Sequence, residues 1–255
     1  MTYCVALKLN AGMVFASDSR TNAGIDQISC YKKMRTFVKA GDRAIVILSS
    51  GNLSITQNAV NRLEQYGRNN ERRNIWNVES LFEAAQILGE CLREVRVHDG
   101  VYLQQSNVDA SANFIIGGQI AGERQRLFLI YSEGNFIEAG DEAPYFQIGE
   151  TKYGKPIIDR VIQPNTPLLE AIKCVLVSFD STMRSNLSVG LPIDLASYRS
   201  GGLQLQLQQH IDQDDAYFSQ ISRRWSEGLR GVFASLPNPD WLREMDNEQQ
   251  PPTES

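Results

Sequence analysis

The stretch TYCVALKLNAGMVFASDSR (residues 2–20) decides the fold that this sequence predicts. Residues 2–9 alternate two sets of largely apolar side chains, which indicates a β-strand covered on both of its faces. The Asn-Ala-Gly sequence at residues 10–12 is typical of a tight turn, and residues 13–17 are predicted to form the returning strand of a hairpin. A hydroxyl residue, Thr2, begins the first strand directly after the initiator methionine.

Further strands and helices follow this hairpin along the chain. Residues 35–40 and 44–50 are predicted to be strands joined by a Gly-Asp turn, which is the pattern of an antiparallel sheet. Two helices are expected next, over residues 53–66 and 79–96, because apolar residues recur there every three or four positions. Later segments are predicted as strands at 113–120, 126–131, 145–149, 187–198 and 202–210, and as helices over 168–179 and 214–231.

The order of these elements indicates the fold class. Strands and helices come in segregated runs, which is typical of the α+β class rather than of alternating βαβ units. Two antiparallel sheets packed face to face, with helices on both outer faces, explain why many strands are apolar on both sides. We therefore predict a four-layer αββα sandwich in one domain over residues 1–236, including a helical extension over about 212–236. The Pro-, Asn- and Glu-rich residues 237–255 are expected to form a polar, mobile tail.

Composition and charge argue against several classes of protein. The chain has a net charge of −5 and no basic stripe, so nucleic acid is not an expected partner. No stretch approaches the roughly 20 apolar residues that span a bilayer, so no membrane partner is expected. The N-terminus also lacks the pattern of a signal peptide, and together these features predict a cytoplasmic protein.

The four cysteines, Cys4, Cys30, Cys91 and Cys174, are far apart in the sequence. This spacing argues against a zinc site and favours reduced, buried thiols. The sequence also has no nucleotide-binding loop, so neither a metal nor a cofactor is predicted. Neither of the two histidines lies near a nucleophile-elbow pattern, which argues against a Ser-His-Asp hydrolase.

Thr2 becomes the first residue of the chain once Met1 is removed. It then carries a free α-amine and a hydroxyl on the same residue, which combines a nucleophile with a base. The ordinary pKa of an α-amine, about 7.7–8.0, is close to neutral pH, so the amine can accept the hydroxyl proton directly or through a water molecule. The alternative interpretation is that Thr2 is a small residue that only permits removal of Met1.

Three segments together resemble proteasome β-type subunits and HslV-type peptidases, which are N-terminal nucleophile hydrolases. They are residues 2–20, YKKM (31–34) and SSGN (49–52). Within this family the sequence looks most like the Anbu group of bacterial proteasome homologues, on the segments SDSRTNAG (17–24), IGETKYGKP (148–156) and STMRSNLSVGLPIDL (181–195). The resemblance covers roughly residues 2–210, and the C-terminal extension also suits that group.

The resemblance implies roles for three residues near the N-terminus. Thr2 would be the nucleophile, Asp18 would orient a lysine and the terminal amine, and Gly51 would supply a backbone N–H to an oxyanion hole. Ordinary structural roles remain open for two of them. Asp18 could be a turn or cap residue, and Gly51 could be the glycine of a strand-to-helix turn.

The resemblance also implies a catalytic lysine, and the sequence offers two adjacent candidates. Lys33 fits better than Lys32, because the family's lysine directly precedes an apolar residue, here Met34. A buried ammonium beside the terminal amine would lower the pKa of that amine and keep it a free base. Adjacent residues on a strand point to opposite faces, so one lysine of the pair must face away from Thr2.

The residues that support the amine depart from the family pattern. Ser188 matches a family serine that steadies the amine, whereas Ser185 stands where the family has an aspartate, and Val189 replaces a glycine. Glu150 stands where the family has a second helper serine. One carboxylate is thus lost and another gained, so the electrostatics around the amine are expected to differ from those of other proteasome subunits.

Three functions follow as hypotheses. The first is a threonine hydrolase that cleaves peptide or related amide bonds through an acyl-Thr2 intermediate. The second is a catalytically weak or inactive assembly protein on the proteasome scaffold, which the altered supporting residues favour slightly. The third is an amidohydrolase that acts on a small amide. The resemblance further implies self-association into a homo-oligomer, and it leaves open an unidentified ATPase or peptide-tagging partner.

Overall fold

The computed structural model describes residues 2–22, 28–69 and 71–241. Twelve strands occur in these residues, all paired antiparallel. In chain order they are β1 (Tyr3–Leu9), β2 (Gly12–Asp18), β3 (Arg20–Asn22), β4 (Ile28–Cys30), β5 (Met34–Lys39), β6 (Arg43–Gly51), β7 (Ala112–Ile120), β8 (Arg126–Ile130), β9 (Phe136–Glu138), β10 (Tyr145–Gly149), β11 (Ile193–Arg199) and β12 (Leu207–Ile211). One five-stranded sheet has the order β10-β1-β2-β11-β12, a second has the order β5-β6-β7-β8-β9, and β3 pairs with β4.

Five helices are present in the same described residues. They are α1 (Leu53–Tyr66), α2 (Leu81–Gln105), α3 (Lys155–Val161), α4 (Leu168–Ser185) and α5 (Ala216–Ser235). The first helix begins where the sequence predicts, because the Asn52 side chain accepts the backbone N–H of Ser54 at 3.0 Å and caps the free N-terminal turn.

The two five-stranded sheets pack face to face and share one apolar core. That core contains Cys4, Ala6, Met13 and Phe15 from the first sheet, and Met34, Val46, Leu48, Ile115 and Leu127 from the second. Helices α1 and α2 cover the outer face of the second sheet. Helix α4 covers the outer face of the first sheet, where the ring of Phe179 lies 4.6 Å from the ring of Tyr3. The predicted α+β fold with four αββα layers is therefore confirmed.

The β1–β2 hairpin is buried on both faces, as the sequence predicts. Its turn depends on Gly12, which pairs with Leu9 and lies at a φ of 146°. A Cβ atom at this position would lie 2.1 Å from the carbonyl oxygen of Tyr198 on β11, so a side chain is excluded there. The central strands of the first sheet can therefore approach each other closely at the turn.

The chain divides into two compact units, one up to Asp215 and one from Ala216 onward. The helix predicted over residues 214–231 is confirmed as α5, the main element of the second unit. The predicted single domain over residues 1–236 stays a prediction. Met1 and residues 242–255, which include most of the predicted tail, lie outside the described residues.

Several boundaries differ from the sequence predictions for physical reasons. Helix α2 continues to Gln105 although its apolar periodicity ends near Val95, because the last turns are solvent-exposed and need no buried stripe. The predicted strands over 187–198 and 202–210 were too long, since residues 187–192 and 202–206 form loops. The short elements β3, β4, β9 and α3 were not predicted, because each is too brief to show a periodic pattern.

The chemical environment of the thiols is only partly as predicted. Cys4, Cys91 and Cys174 are buried, whereas Cys30 is exposed, so the prediction of buried thiols is wrong for Cys30. Cys30 ends β4 in the small two-stranded sheet, away from the core between the large sheets. Among the helices of the described residues, none has the length and apolar character needed to cross a bilayer.

Candidate active site

A buried ion pair joins the two large sheets. Asp18 ends β2 in the first sheet, and Lys33 directly precedes β5 in the second. The Nζ atom of Lys33 lies 2.8 Å from Oδ1 of Asp18, and the two side chains are only 5% and 0% exposed. The neighbouring Lys32 is exposed, so the structure places Lys33, and not Lys32, beside Asp18.

The Asp18 carboxylate also contacts the start of β1. Its Oδ1 atom accepts the backbone N–H of Tyr3 at 3.0 Å, which fixes the ion pair one residue from Thr2. Its Oδ2 atom is buried and has no hydrogen-bond partner among the described residues. Burial raises the pKa of the Asp18 carboxyl above its ordinary value, and this increase is opposed by the Lys33 ammonium and by the hydrogen bonds from Lys33 and Tyr3.

Thr2 is buried and is held from the opposite side by the end of β10. Its carbonyl oxygen accepts the backbone N–H of Glu150 at 2.7 Å. Gly149 has a φ of 84°, and a Cβ atom there would lie 1.9 Å from the Thr2 carbonyl oxygen. Only glycine allows this approach, so the sequence Gly149-Glu150 fixes the position of Thr2.

Gly51 lies at the end of β6, close to the backbone of Lys33. The backbone N–H of Ser49, two residues earlier, donates to the Lys33 carbonyl oxygen at 3.1 Å. Gly51 has a φ of 104°, and a Cβ atom would lie 2.3 Å from the carbonyl oxygen of Ser111. The turn therefore requires glycine for structural reasons, and it lies at the same end of the second sheet as Lys33.

A hydrogen-bond network connects Glu150 to Ser188. The Nδ2 atom of Asn186 donates to Oε2 of Glu150 at 2.7 Å, and Oδ1 of Asn186 accepts the backbone N–H of Ser188 at 2.9 Å. Glu150 is buried, and Ser188 is half-buried. The structure thus brings Glu150 and Ser188 into one network that reaches Thr2 through the Glu150 backbone.

The structure does not bring Ser185 into the network of Glu150, Asn186 and Ser188. Ser185 is the last residue of α4 and is exposed, whereas Asn186, the next residue, turns inward. The backbone of Asn186 is extended, with φ −144° and ψ 107°, and its side chain closes the turn to Ser188. Asn186 was missed by the sequence reasoning, although an asparagine directly after a helix is a typical turn-forming residue.

Arg20 is a second residue that the sequence reasoning missed. Its carbonyl oxygen accepts a hydrogen bond from Lys33 Nζ at 2.6 Å, and its Nη1 atom donates to the Leu187 carbonyl oxygen at 3.0 Å. The guanidinium also lies against Gly190, where a Cβ atom would come within 2.8 Å of it. Arg20 therefore connects the lysine side of the site to the loop that carries Ser188.

The thiol nearest to the ion pair is not suited to nucleophilic chemistry. Cys4 is fully buried, and its Sγ atom lies 3.6 Å from the carbonyl oxygen of Ser49. Burial and the nearby Asp18 carboxylate raise the pKa of the Cys4 thiol far above its ordinary value. The thiol thus stays protonated, which argues against Cys4 as a nucleophile.

Within residues 2–22, 28–69 and 71–241, no group of three or more His, Cys, Asp and Glu side chains could hold a metal ion. The site described here consists of a buried ion pair, a buried second carboxylate and a threonine at the head of a strand.

Comparisons with known proteins agree with this architecture. The proteasome subunit family model matches residues 2–196. Comparison with curated proteins gave no match. The solved structure of Anbu (ancestral beta-subunit) from Yersinia bercovieri is 50% identical, has a TM-score of 0.89, and the match covers 93% of this chain and 99% of that one.

Two further solved structures of Anbu proteins are similar to this chain over nearly its whole length. Anbu from Pseudomonas aeruginosa, described as a helical assembly, is 47% identical with a TM-score of 0.88, and the match covers 93% of this chain and 98% of that one. The Anbu (Gly-1) mutant from Hyphomicrobium sp. strain MC1 is 46% identical with a TM-score of 0.87, covering 94% of this chain and all of that one. The chain therefore belongs to the proteasome subunit family and is similar to Anbu proteins over nearly its whole length.

Proposed function

We propose that this protein is an N-terminal threonine hydrolase that cleaves peptide or related amide bonds. The observation that carries the proposal is the buried Asp18–Lys33 pair, which is bonded to the backbone N–H directly after Thr2. Removal of Met1 would leave the Thr2 amine and hydroxyl at this pair. A nucleophile, a base on the same residue and a fixed cation are the elements that acyl transfer requires.

The reaction would proceed in two stages. The Thr2 amine takes the hydroxyl proton, directly or through a water molecule, and the Oγ1 atom attacks the carbonyl carbon of the substrate. The backbone N–H of Gly51 stabilises the resulting oxyanion, and the Lys33 ammonium keeps the amine unprotonated before attack. The protonated amine then gives its proton to the leaving nitrogen as the C–N bond breaks. Water, activated by the same amine, hydrolyses the acyl-Thr2 ester and restores both groups.

The remaining residues would hold these groups in place. Asp18 orients Lys33, and the Ser188 loop steadies the amine from the side of α4. The loop is itself held by Asn186 and Arg20. A site on rigid strand ends suits chemistry that depends on small distances.

We also propose that the protein self-associates in the cytoplasm. A relative 47% identical to this chain is described as a helical assembly. Helix α5 has exposed apolar side chains at Leu229, Val232 and Phe233, and Leu236 directly after the helix is exposed as well, which favours a contact with another molecule. Mass photometry of the purified full chain would test this, since a purely monomeric population contradicts it. An ATPase or peptide-tagging partner stays a hypothesis, which affinity capture from the native host would address.

The catalytically weak assembly protein is the second candidate. It is favoured by the exposure of Ser185, which stands where the family has an aspartate, and by Val189 in place of a glycine. An inactive scaffold would self-associate in the same way but would show no reaction at Thr2.

Intact mass and N-terminal sequencing separate the two candidates. We expect the mature chain to begin at Thr2 and to gain one adduct from a β-lactone or epoxyketone reagent, with no adduct on Thr2→Ala. A mature chain that retains Met1 has no free threonine amine and contradicts the hydrolase. A panel of peptide and small-amide substrates then distinguishes a peptidase from a small-amide amidohydrolase.

A further inference from the structure

We infer that Glu150 supplies a second negative charge beside the Thr2 amine and that Asn186 is the positioning residue that holds this charge in place. The inference rests on the proposed function for the identity of the reacting amine. It goes further by assigning the groups of this chain that set the protonation of that amine.

The position of Glu150 is fixed by its backbone. Its N–H donates to the Thr2 carbonyl oxygen at 2.7 Å, so its side chain begins directly beside Thr2. That side chain is only 9% exposed, which means that the carboxylate is turned into the protein rather than into solvent. A buried carboxylate is unfavourable unless it is hydrogen-bonded, and it is therefore retained only where a partner holds it.

Asn186 is that partner, and it is a neutral one. Its Nδ2 atom donates to Glu150 Oε2 at 2.7 Å, and its Oδ1 atom accepts from the Ser188 backbone. The amide satisfies the carboxylate without cancelling its charge. Lys152 lies 3.3 Å from Glu150 Oε1, but its side chain is 67% exposed and its charge is screened by solvent.

The Glu150 carboxylate is therefore less fully compensated than the Asp18 carboxylate. Asp18 and Lys33 compensate each other, and burial keeps the Cys4 thiol neutral. Among the described residues, Glu150 is paired with the exposed Lys152, whereas the Arg20 guanidinium donates to the Leu187 carbonyl oxygen. The charged and titratable groups on the elements around Thr2 include Tyr3, Cys4 and Lys8 on β1, Asp18 on β2, Arg20 on β3, Lys32 and Lys33 before β5, Tyr145 on β10, Glu150 and Lys152 after it, Asp194, Tyr198 and Arg199 on β11, and His210 on β12.

A nearby carboxylate favours the protonated form of an amine and raises its pKa. Glu150 therefore raises the pKa of the Thr2 amine, whereas Lys33 lowers it. The two charges together set the pKa of this amine. Loss of the Glu150 charge is expected to lower that pKa and to move the acidic limb of the kcat/KM profile to lower pH.

The test measures the pKa of the Thr2 amine by NMR in threonine-labelled, full-length protein without Met1, as verified by intact mass. We expect Glu150→Gln to lower this pKa by about half a unit or more. Asn186→Ala should lower it by less, and the double variant should match Glu150→Gln, because Asn186 acts through Glu150. Asn58→Ala and Glu170→Gln, which change exposed residues of α1 and α4, are controls that should leave it unchanged.

Glu150→Asp keeps the negative charge but shortens the side chain, so it distinguishes the effect of the charge from the effect of the side-chain shape. It should retain most of the wild-type pKa even if Glu150→Gln folds poorly. An unchanged or higher amine pKa in Glu150→Gln overturns the role of Glu150, and a further shift on adding Asn186→Ala overturns the positioning role. Since this pKa is read without turnover, absence of Thr2-dependent hydrolysis in the wild type would count against the proposed function alone.

Discussion

The Oδ1 atom of Asp18 lies 2.8 Å from the ammonium of Lys33, and the same oxygen accepts the backbone N–H of Tyr3. One carboxylate oxygen thus fixes both the cation and the strand that begins next to Thr2. Burial makes each charge dependent on the other, because an unpaired ion in a protein interior is strongly unfavourable. Stability and chemistry should therefore respond together when this pair is changed.

Lys33→Met should lower the free energy of unfolding by about 3–5 kcal/mol near neutral pH, because it leaves a buried carboxylate uncompensated. Without the ammonium, the already raised pKa of Asp18 rises further. A carboxyl group with a higher pKa in the folded than in the unfolded protein stabilises the fold fully at pH values below its unfolded pKa of about 3.9. This stabilisation is lost as the pH rises through the folded pKa. The deficit of the variant should therefore grow with pH in urea-unfolding measurements.

The double variant Asp18→Asn/Lys33→Met is the matched control for this pair. It removes both charges and should regain much of the lost stability while remaining inactive. A deficit for Lys33→Met that is the same at pH 4 and pH 8 would show that Asp18 is not the group left unpaired.

Gly149→Ala should displace Thr2, since the added Cβ atom would lie 1.9 Å from the Thr2 carbonyl oxygen at a φ of 84°. We expect a loss of about 1–3 kcal/mol in stability and a large loss of lactone labelling. Gly140→Ala is the control, because no atom lies within 4 Å of its added Cβ and its φ is not in the left-handed region. Equal behaviour of the two variants in thermal unfolding and labelling would argue against a tight contact at Thr2.

Tyr3→Phe should affect stability more than chemistry. The Tyr3 hydroxyl donates to Ser178 Oγ at 3.0 Å and accepts from Gln147 Nε2 at 2.6 Å, on the side of β1 that faces α4. Its loss removes both of these hydrogen bonds, although Ser178 keeps its bond to the Val175 carbonyl oxygen, and should lower the free energy of unfolding by about 1–2 kcal/mol. The rate of Thr2 acylation should fall by less than about tenfold, and a loss as large as that of Lys33→Met would instead place the hydroxyl in the chemistry.

Thiol reactivity should separate Cys30 from the other three cysteines. Cys30 is exposed, whereas burial raises the pKa of the Cys91 and Cys174 thiols to about 12 each. The native protein should therefore present one rapidly reacting thiol to a disulfide reagent, and denaturation should release the others. Cys30→Ser should abolish the rapid phase. A rapid phase that persists in this variant would mean that a buried cysteine becomes accessible in the native state.

Local patterns were enough to predict the fold. The alternating residues of β1 and β2, the Gly12 turn and the periodic helices α1 and α4 each depend on neighbours in the sequence. The resemblance then directed attention to Asp18 and Lys33, which the structure brings into contact. Lys33 could be preferred over Lys32 only through the family pattern, since alternation alone shows that one of them faces away.

The contacts that complete the site could not be predicted in the same way. Arg20 bonds to the Leu187 carbonyl oxygen, 167 positions later, and Asn186 bonds to Glu150 across 36 positions. Such pairs leave no periodic signal, because each depends on how the loop after α4 meets the ends of β2 and β10. Ser185 occupies the position of an aspartate in the family motif, but α4 ends at this residue and the next residue, Asn186, turns inward.

The central claim is most directly tested by the rate of acylation in protein that begins at position 2. Wild-type protein and Thr2→Ser should both form a covalent adduct with a β-lactone and turn over a responsive amide substrate, since each has an amine and a hydroxyl on one residue. Thr2→Val, which keeps the shape and the amine but lacks the hydroxyl, should lose at least about a thousandfold in turnover. Undiminished turnover by Thr2→Val would contradict the assignment of Thr2 as the nucleophile.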